Sequence, residues 1–336
     1  MRLRCGVMAG ILASLVLAAA RPAAAETNEI RIARQYSLAQ LPLMIIEKRK
    51  LIERQAEIMG LGAVKVTWMP PGKRGAVDML LDGQVDLAPV GIGRFIIAHD
   101  RKIGTPEELG GLAALAQVPY VLVTRNPSIK TILDFTDKDR IAVPASKTSG
   151  PALMLEMAAA QEWGIKHFDK LDPLVRARSD DEASFEMRTG QSEIDAHFSR
   201  SPDVDDELGT ETIHRVMDSY DIAGPHTAEV LVTRRQFAQS NPKLCVAIFA
   251  ALQEADELIR KNRGEAAELY VSMVGEDNIS VEDFTDLIGD PDVAFTPAPA
   301  GIGHLADFMA QIHRIAHRPN SWKDLFFIDA QGTKGS

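Results

Sequence analysis

Apolar positions along this chain keep two rhythms. Short runs rich in Ile, Val, Leu and Ala alternate with longer stretches at helical spacing, which predicts an α/β fold. Ile30-Arg31-Ile32-Ala33 reads as a first strand. Pro42 then suits the first turn of a helix running through residue 49, where its missing N–H is not needed. Residues 64–68 alternate as a strand that Pro70-Pro71-Gly72 ends. Residues 76–81 are helical with Gly83 as C-terminal cap, and Val85-Asp86-Leu87-Ala88 is the next buried strand. Strands are expected at 112–116, 120–124, 140–143, 194–198 and 228–233. A helix rich in Leu, Met and Ala follows Gly150-Pro151. Ser179-Asp180-Asp181-Glu182 has the pattern of a capping box and opens a helix that Gly190 closes. Beyond Asn241-Pro242 the remainder reads as almost entirely helical.

With 336 residues the chain exceeds what one hydrophobic core usually serves, so two lobes are expected. The order of elements suggests nesting: a first lobe begun over 26–121, a second inserted over 122–227, and the first completed by 228–336. The chain would cross between them near 120–125 and again near 224–232.

The N-terminus sets the compartment. Arg2 and Arg4 precede the apolar run 11–20, and Ala23-Ala24-Ala25 supplies small residues before Glu26. This is the layout of a cleaved secretory signal peptide over residues 1–25, hence a periplasmic protein. The run is too short to span a bilayer, which takes about 20 apolar residues. The formal net charge of −10 becomes still more negative when Arg2, Arg4 and Arg21 are removed, so the footprint of a nucleic-acid binder is missing. Cys245 is the one cysteine left after cleavage, so no intramolecular disulfide can form; its apolar helical surroundings mark it as a core residue.

Several segments, taken in order, resemble the nitrate/sulfonate/taurine class of ABC-transporter substrate-binding proteins. Ser37-Leu38-Ala39-Gln40-Leu41-Pro42-Leu43 is similar to the opening of that family after its first strand. Leu80-Leu81-Asp82-Gly83-Gln84-Val85-Asp86-Leu87 resembles its A-L-x-x-G-x-V-D element. Ile129-Lys130-Thr131-Ile132-Leu133-Asp134-Phe135, with the strand at 140–143, resembles its entry into the second lobe. Ala306-Asp307-Phe308-Met309 and Ser321-Trp322-Lys323-Asp324-Leu325-Phe326-Phe327 resemble its tail. Lys138-Asp139-Arg140 departs from the family, which has a glycine there. The resemblance implies a type II periplasmic-binding fold, two α/β lobes with a ligand cleft between them. It also implies a monomer that takes a small-molecule ligand to the permease and ATPase subunits of an ABC importer.

In open α/β sheets ligands collect beyond the carboxyl ends of strands, where helix N-termini offer free N–H groups. Five loops answer that description. Loop 36–40 carries Tyr36, Leu38 and Gln40; loop 72–75 carries Lys73 and Arg74; and Gly91, Gly93 and Arg94 lie on the third. Ser146, Lys147, Thr148 and Ser149 make the fourth, where hydroxyls, amides and one cation could meet an anion. The competing reading is that Ser149 caps a helix while Lys147 sits in solvent. His197 and Arg200 lie on the fifth loop, and His226 stands beside Gly224-Pro225 at the second crossing.

No P-loop, HExxH, CxxC or GxSxG pattern occurs, and neither a catalytic residue nor a cofactor is expected. His313 and His317 would share one helix face, a solvated face rather than a metal pair. The expected function is capture of a small anion such as a sulfonate, taurine, nitrate or a carboxylate. The alternatives are a neutral heterocycle such as a pyrimidine precursor as ligand, an enzyme of cofactor-precursor synthesis on the same fold, or a ligand-sensing partner of a membrane receptor.

Overall fold

A computed structural model describes residues 25–336 apart from 71, 73–74, 191–192, 276–278 and 328–331. The expected signal-peptide segment, save Ala25, and the loop residues Lys73 and Arg74 lie outside the described residues.

The strands run, in chain order, β1 (Glu29–Ala33), β2 (Lys65–Met69), β3 (Leu87–Gly91), β4 (Leu109–Gln117), β5 (Val121–Thr124), β6 (Ile141–Val143), β7 (Val175–Ala177), β8 (Ala196–Ser199), β9 (His214–Asp218), β10 (Thr227–Arg234) and β11 (Ala294–Phe295). They form two sheets, one ordered β11-β4-β10-β3-β1-β2 and the other β7-β6-β8-β5-β9. In the first, β1 is parallel to β2 and β3, whereas β10 returns antiparallel between β3 and β4. In the second, β6 is parallel to β7 and β8, and β5 is antiparallel to β8 and β9. All strands of the second sheet lie in the chain between β4 and β10 of the first. The two connections, after β4 and after β9, are tied together: Ser219 N donates to Tyr120 O at 2.9 Å and Tyr120 N donates to Ser219 Oγ at 2.8 Å.

Local chemistry explains the elements that frame the cleft. Ile30 and Ile32 of β1 and every residue of β3 up to Val90 are buried, as expected of strands covered on both faces. Ser149 caps the helix Gly150–Trp163, its hydroxyl accepting from Ala152 N at 3.3 Å. The capping box at Ser179 opens the helix Asp180–Thr189, and Gly190 closes it at φ 71°, a left-handed conformation that suits glycine. On β4, a side chain at Gly110 or Gly111 would meet the rings of Phe327 and Phe326 at 2.5 Å; glycine there lets the C-terminal residues lie against the sheet.

Two expectations need correction. The chain after residue 242 is helical over Pro242–Lys261, Arg263–Val274, Val281–Leu287 and Ile302–Gln311, but β11 and the irregular stretch 296–301 interrupt it. His313 and His317 share no helix face, because the helix Ile302–Gln311 has already ended and His313 is left-handed at φ 55°. His317 instead binds Asp100.

Candidate functional site

The carboxyl ends of β1 and β3 in the first lobe face those of β6 and β8 in the second. Between them lies a cavity of about 470 Å³. Two helices from opposite lobes, Ile92–Lys102 and Gly150–Trp163, point their N-termini at it. Their approach is close: a Cβ at Gly93 would lie 2.8 Å from Thr148 O, and one at Gly150 would lie 2.8 Å from the Tyr120 hydroxyl. Glycine is needed at both positions for the lobes to meet. The helix Ile92–Lys102 has no side-chain cap, so its first-turn N–H groups keep their hydrogen-bonding capacity. Arg94 and Arg101, two turns apart on that helix, both line the cavity. Among the described residues neither makes a hydrogen bond or an ion pair.

A second cavity of about 760 Å³ adjoins the first, and Gln35, Asp180, Arg200 and Glu229 border both. Arg200 Nη2 donates to Asp180 Oδ2 at 2.6 Å, and its Nη1 lies 3.7 Å from Glu229 Oε1 across the lobes. Its guanidinium stands 5.9 Å from the centre of the Tyr120 ring. Gln40 Nε2 donates to Glu229 Oε2 at 2.9 Å and to Gln35 Oε1 at 3.3 Å. Burial pushes the Glu229 carboxyl above the usual range, with Arg200 and Gln40 pulling the other way. For Arg200, burial opposes the charge, but Asp180, Tyr120 and Glu229 outweigh it and keep the guanidinium protonated. One cation thus serves two carboxylates.

The structure distributes the remaining candidates as follows. Gly91, Thr148 and Ser149 line the first cavity, and Gly93 packs behind it against the loop of the other lobe. Tyr36, Leu38 and His197 border the second cavity. Gln40 is buried beneath it on Glu229. The Ser149 hydroxyl is committed to its helix, donating to Ala145 O at 2.8 Å as well as capping. Ser146 is exposed and lines neither cavity. Lys147 lines neither cavity; its backbone is left-handed at φ 64°, and its ammonium lies 3.5 Å from Asp172 Oδ2. His197 is fully buried with Nε2 2.9 Å from Glu207 Oε2. His226 stacks behind Tyr120 at 5.5 Å and meets Ser219 Oγ at 3.0 Å; burial pushes its imidazole down to about 4.

Sequence reasoning missed Glu229, Asp180, Gln35 and Arg101. Glu229 carried a usable signal, a carboxylate inside the apolar run Ala228-Glu229-Val230-Leu231-Val232, since a charge in a buried strand needs a partner. Asp180 was read only as a position inside the capping box that Ser179 and Glu182 form, and its bond to Arg200 went unnoticed.

A comparison with protein-family models finds no match, and a comparison with curated proteins finds none. Solved structures do match. The periplasmic aliphatic sulphonate-binding protein SsuA from Escherichia coli aligns with a TM-score of 0.65 at 17% identity, over 90% of this chain and 93% of that one. The alkanesulfonate-binding SsuA from Xanthomonas axonopodis pv. citri, bound to MOPS, aligns with a TM-score of 0.62 at 17% identity, over 88% and 96%. The periplasmic nitrate-binding protein NrtA from Synechocystis PCC 6803 aligns with a TM-score of 0.65 at 13% identity, over 86% and 82%. These likenesses establish the architecture: the chain has the two-lobed α/β fold of type II periplasmic-binding proteins.

Proposed function

We propose that this protein is an extracytoplasmic solute-binding protein that captures a small anion, such as a sulfonate, taurine, nitrate or a carboxylate, and delivers it to an ABC importer. The observation that carries this reading is Arg94. It is a cation with no protein partner among the described residues, inside an interlobe cavity at which two helix N-termini converge. Each such terminus offers roughly half an elementary positive charge. A guanidinium binds a planar or tetrahedral oxyanion through two parallel N–H donors. At the other side of the cavity Asp180 and Glu229 share Arg200, the one cation paired with either among the described residues, so an anion that also bears an ammonium group, as taurine does, would find both ends matched. The protein binds and releases its ligand without converting it. A ligand that touches both lobes shifts the population toward the closed form, which the membrane subunits then engage.

Thermal shift of the purified mature protein against sulfonates, taurine, nitrate and carboxylates is the test. A ligand at 100 times its dissociation constant raises stability by about 2.7 kcal/mol. Stabilisation by one or more of these anions, weakened by Arg94→Ala, is the expected result. Stabilisation by uncharged heterocycles alone would overturn the reading.

A further inference from the structure

The lobes also meet outside the cavity, at the segment 312–318 near the C-terminus. That segment is anchored to the first lobe by Asp100 on the helix Ile92–Lys102. The Asp100 carboxylate accepts from Ala316 N at 2.9 Å and His317 N at 2.7 Å, and meets His317 Nδ1 at 3.0 Å. Burial pushes this carboxyl up, but the hydrogen bonds together outweigh it and hold it below the usual range.

From this anchor Arg314 crosses to the second lobe. Its Nη1 donates to the carbonyl of Lys147, and its Nη2 donates to Glu156 Oε1 at 2.8 Å. The pair with Glu156 is secluded, with the Arg314 side chain 16% exposed and that of Glu156 2%. Lys147 holds a left-handed backbone at φ 64°, which an L residue bearing a side chain adopts only at a cost. Thr148, Ser149 and Gly150, which line the ligand cavity, follow immediately. Arg314 therefore grips the strained residue at the root of the cavity loop.

We infer that Arg314 is a positioning residue, which clasps the two lobes together and holds residues 147–150 in the conformation the cavity uses. The inference rests on the reading of that cavity as the ligand site. Three features support it. The planar fork of an arginine can donate to two separated acceptors at once, which a lysine ammonium does less well. Glu156 would be left buried without a partner for Oε1 if the clasp opened, and its Oε2 has none already. The charged groups that face Glu156 are Arg314, Lys147 and Asp172; burial pushes its carboxyl up to about 7 while Arg314 pulls it down.

Amide hydrogen exchange and small-angle scattering on the ligand-free protein test this. Arg314→Ala should speed exchange at the amides of Thr148 and Ser149 by about tenfold or more while leaving those of Val230 and Val232 in β10 unchanged, the pattern of a local opening. It should also enlarge the radius of gyration. Arg314→Lys should restore part of both effects. Glu156→Gln keeps the shape and a neutral acceptor, and should give a smaller change of the same kind. Unchanged exchange and scattering in Arg314→Ala and Glu156→Gln would overturn the proposal, and so would equal acceleration at all amides. Neither readout uses a ligand, so an anion screen that fails leaves the clasp standing, and a clasp that fails leaves the anion reading to its own test.

Discussion

Arg94 and Arg200 border the same cavity from opposite lobes, yet their circumstances differ. Arg94 sits in the uncapped first turn of its helix with no partner among the described residues. Arg200 is held by Asp180 and Glu229 and lies over Tyr120. The first is a charge available to a ligand; the second is a charge already spent on joining the lobes. A cationic side chain in a cleft is thus no sufficient sign of anion binding. What decides is whether the protein has left its donors unpaired.

The largest expected effect breaks the contrast at Arg200. Arg200→Ala leaves Glu229, whose side chain is 12% exposed, without its cation. Removing one partner of a buried pair costs about 3–5 kcal/mol, and the partial exposure of Asp180 argues for the lower end, about 3 kcal/mol. Urea unfolding of the variant should show a midpoint shift of that size; a loss below about 0.5 kcal/mol, the range of an ordinary surface change, would show that the bridge carries little. Arg94→Ala should do the reverse. Its stability should stay within about 0.5 kcal/mol of the parent. A charge-assisted hydrogen bond is worth about 1.5–3 kcal/mol, so affinity for a stabilising anion should fall by about tenfold or more in calorimetry. Unchanged affinity would remove Arg94 from the site.

A smaller effect sharpens the comparison through pH. Burial raises the Glu229 carboxyl above its ordinary range, against the pull of Arg200 and Gln40. A carboxyl whose folded-state pKa is raised supports folding while protonated in both states, and that support is lost as pH rises through the folded-state value. Glu229→Gln removes the titration. The stability of the parent relative to the variant should therefore be greatest in acid and shrink as pH climbs past the ordinary glutamate range. A difference that grows with pH instead would mean that Arg200, and not burial, dominates at this carboxyl.

How far the sequence disclosed these features follows from the range of the forces involved. The strands flanking the cleft were legible because β1, β3, β4 and β10 are mostly buried and their apolar runs are local. The strands β7 and β9 were not, since Val-Arg-Ala and His-Arg-Val-Met-Asp carry charge along half-buried edges and lose the periodic signal. Cavity loops were legible from strand-end geometry alone. Their side-chain directions were not. Gln40 and Glu229 lie 189 positions apart in sequence, and Glu156 and Arg314 lie 158 apart. Nothing local announces such pairings.

Lys147 gives the smallest effect and the sharpest contrast with Arg94. Both are cations on loops beyond strand ends, and residue type alone ranks them together. The backbone at 147 is left-handed, and the lysine side chain is 62% exposed, 3.5 Å from Asp172 and outside the lining of both cavities. Exposed pairs contribute about 0–1 kcal/mol. Lys147→Ala should therefore leave anion affinity within about twofold of the parent, a difference below about 0.5 kcal/mol, and change stability little. The backbone carbonyl that Arg314 grips remains in the variant, so the cavity loop keeps its hold. A tenfold loss of affinity in Lys147→Ala would show that the lysine swings into the cleft when ligand arrives, and would place its charge beside that of Arg94.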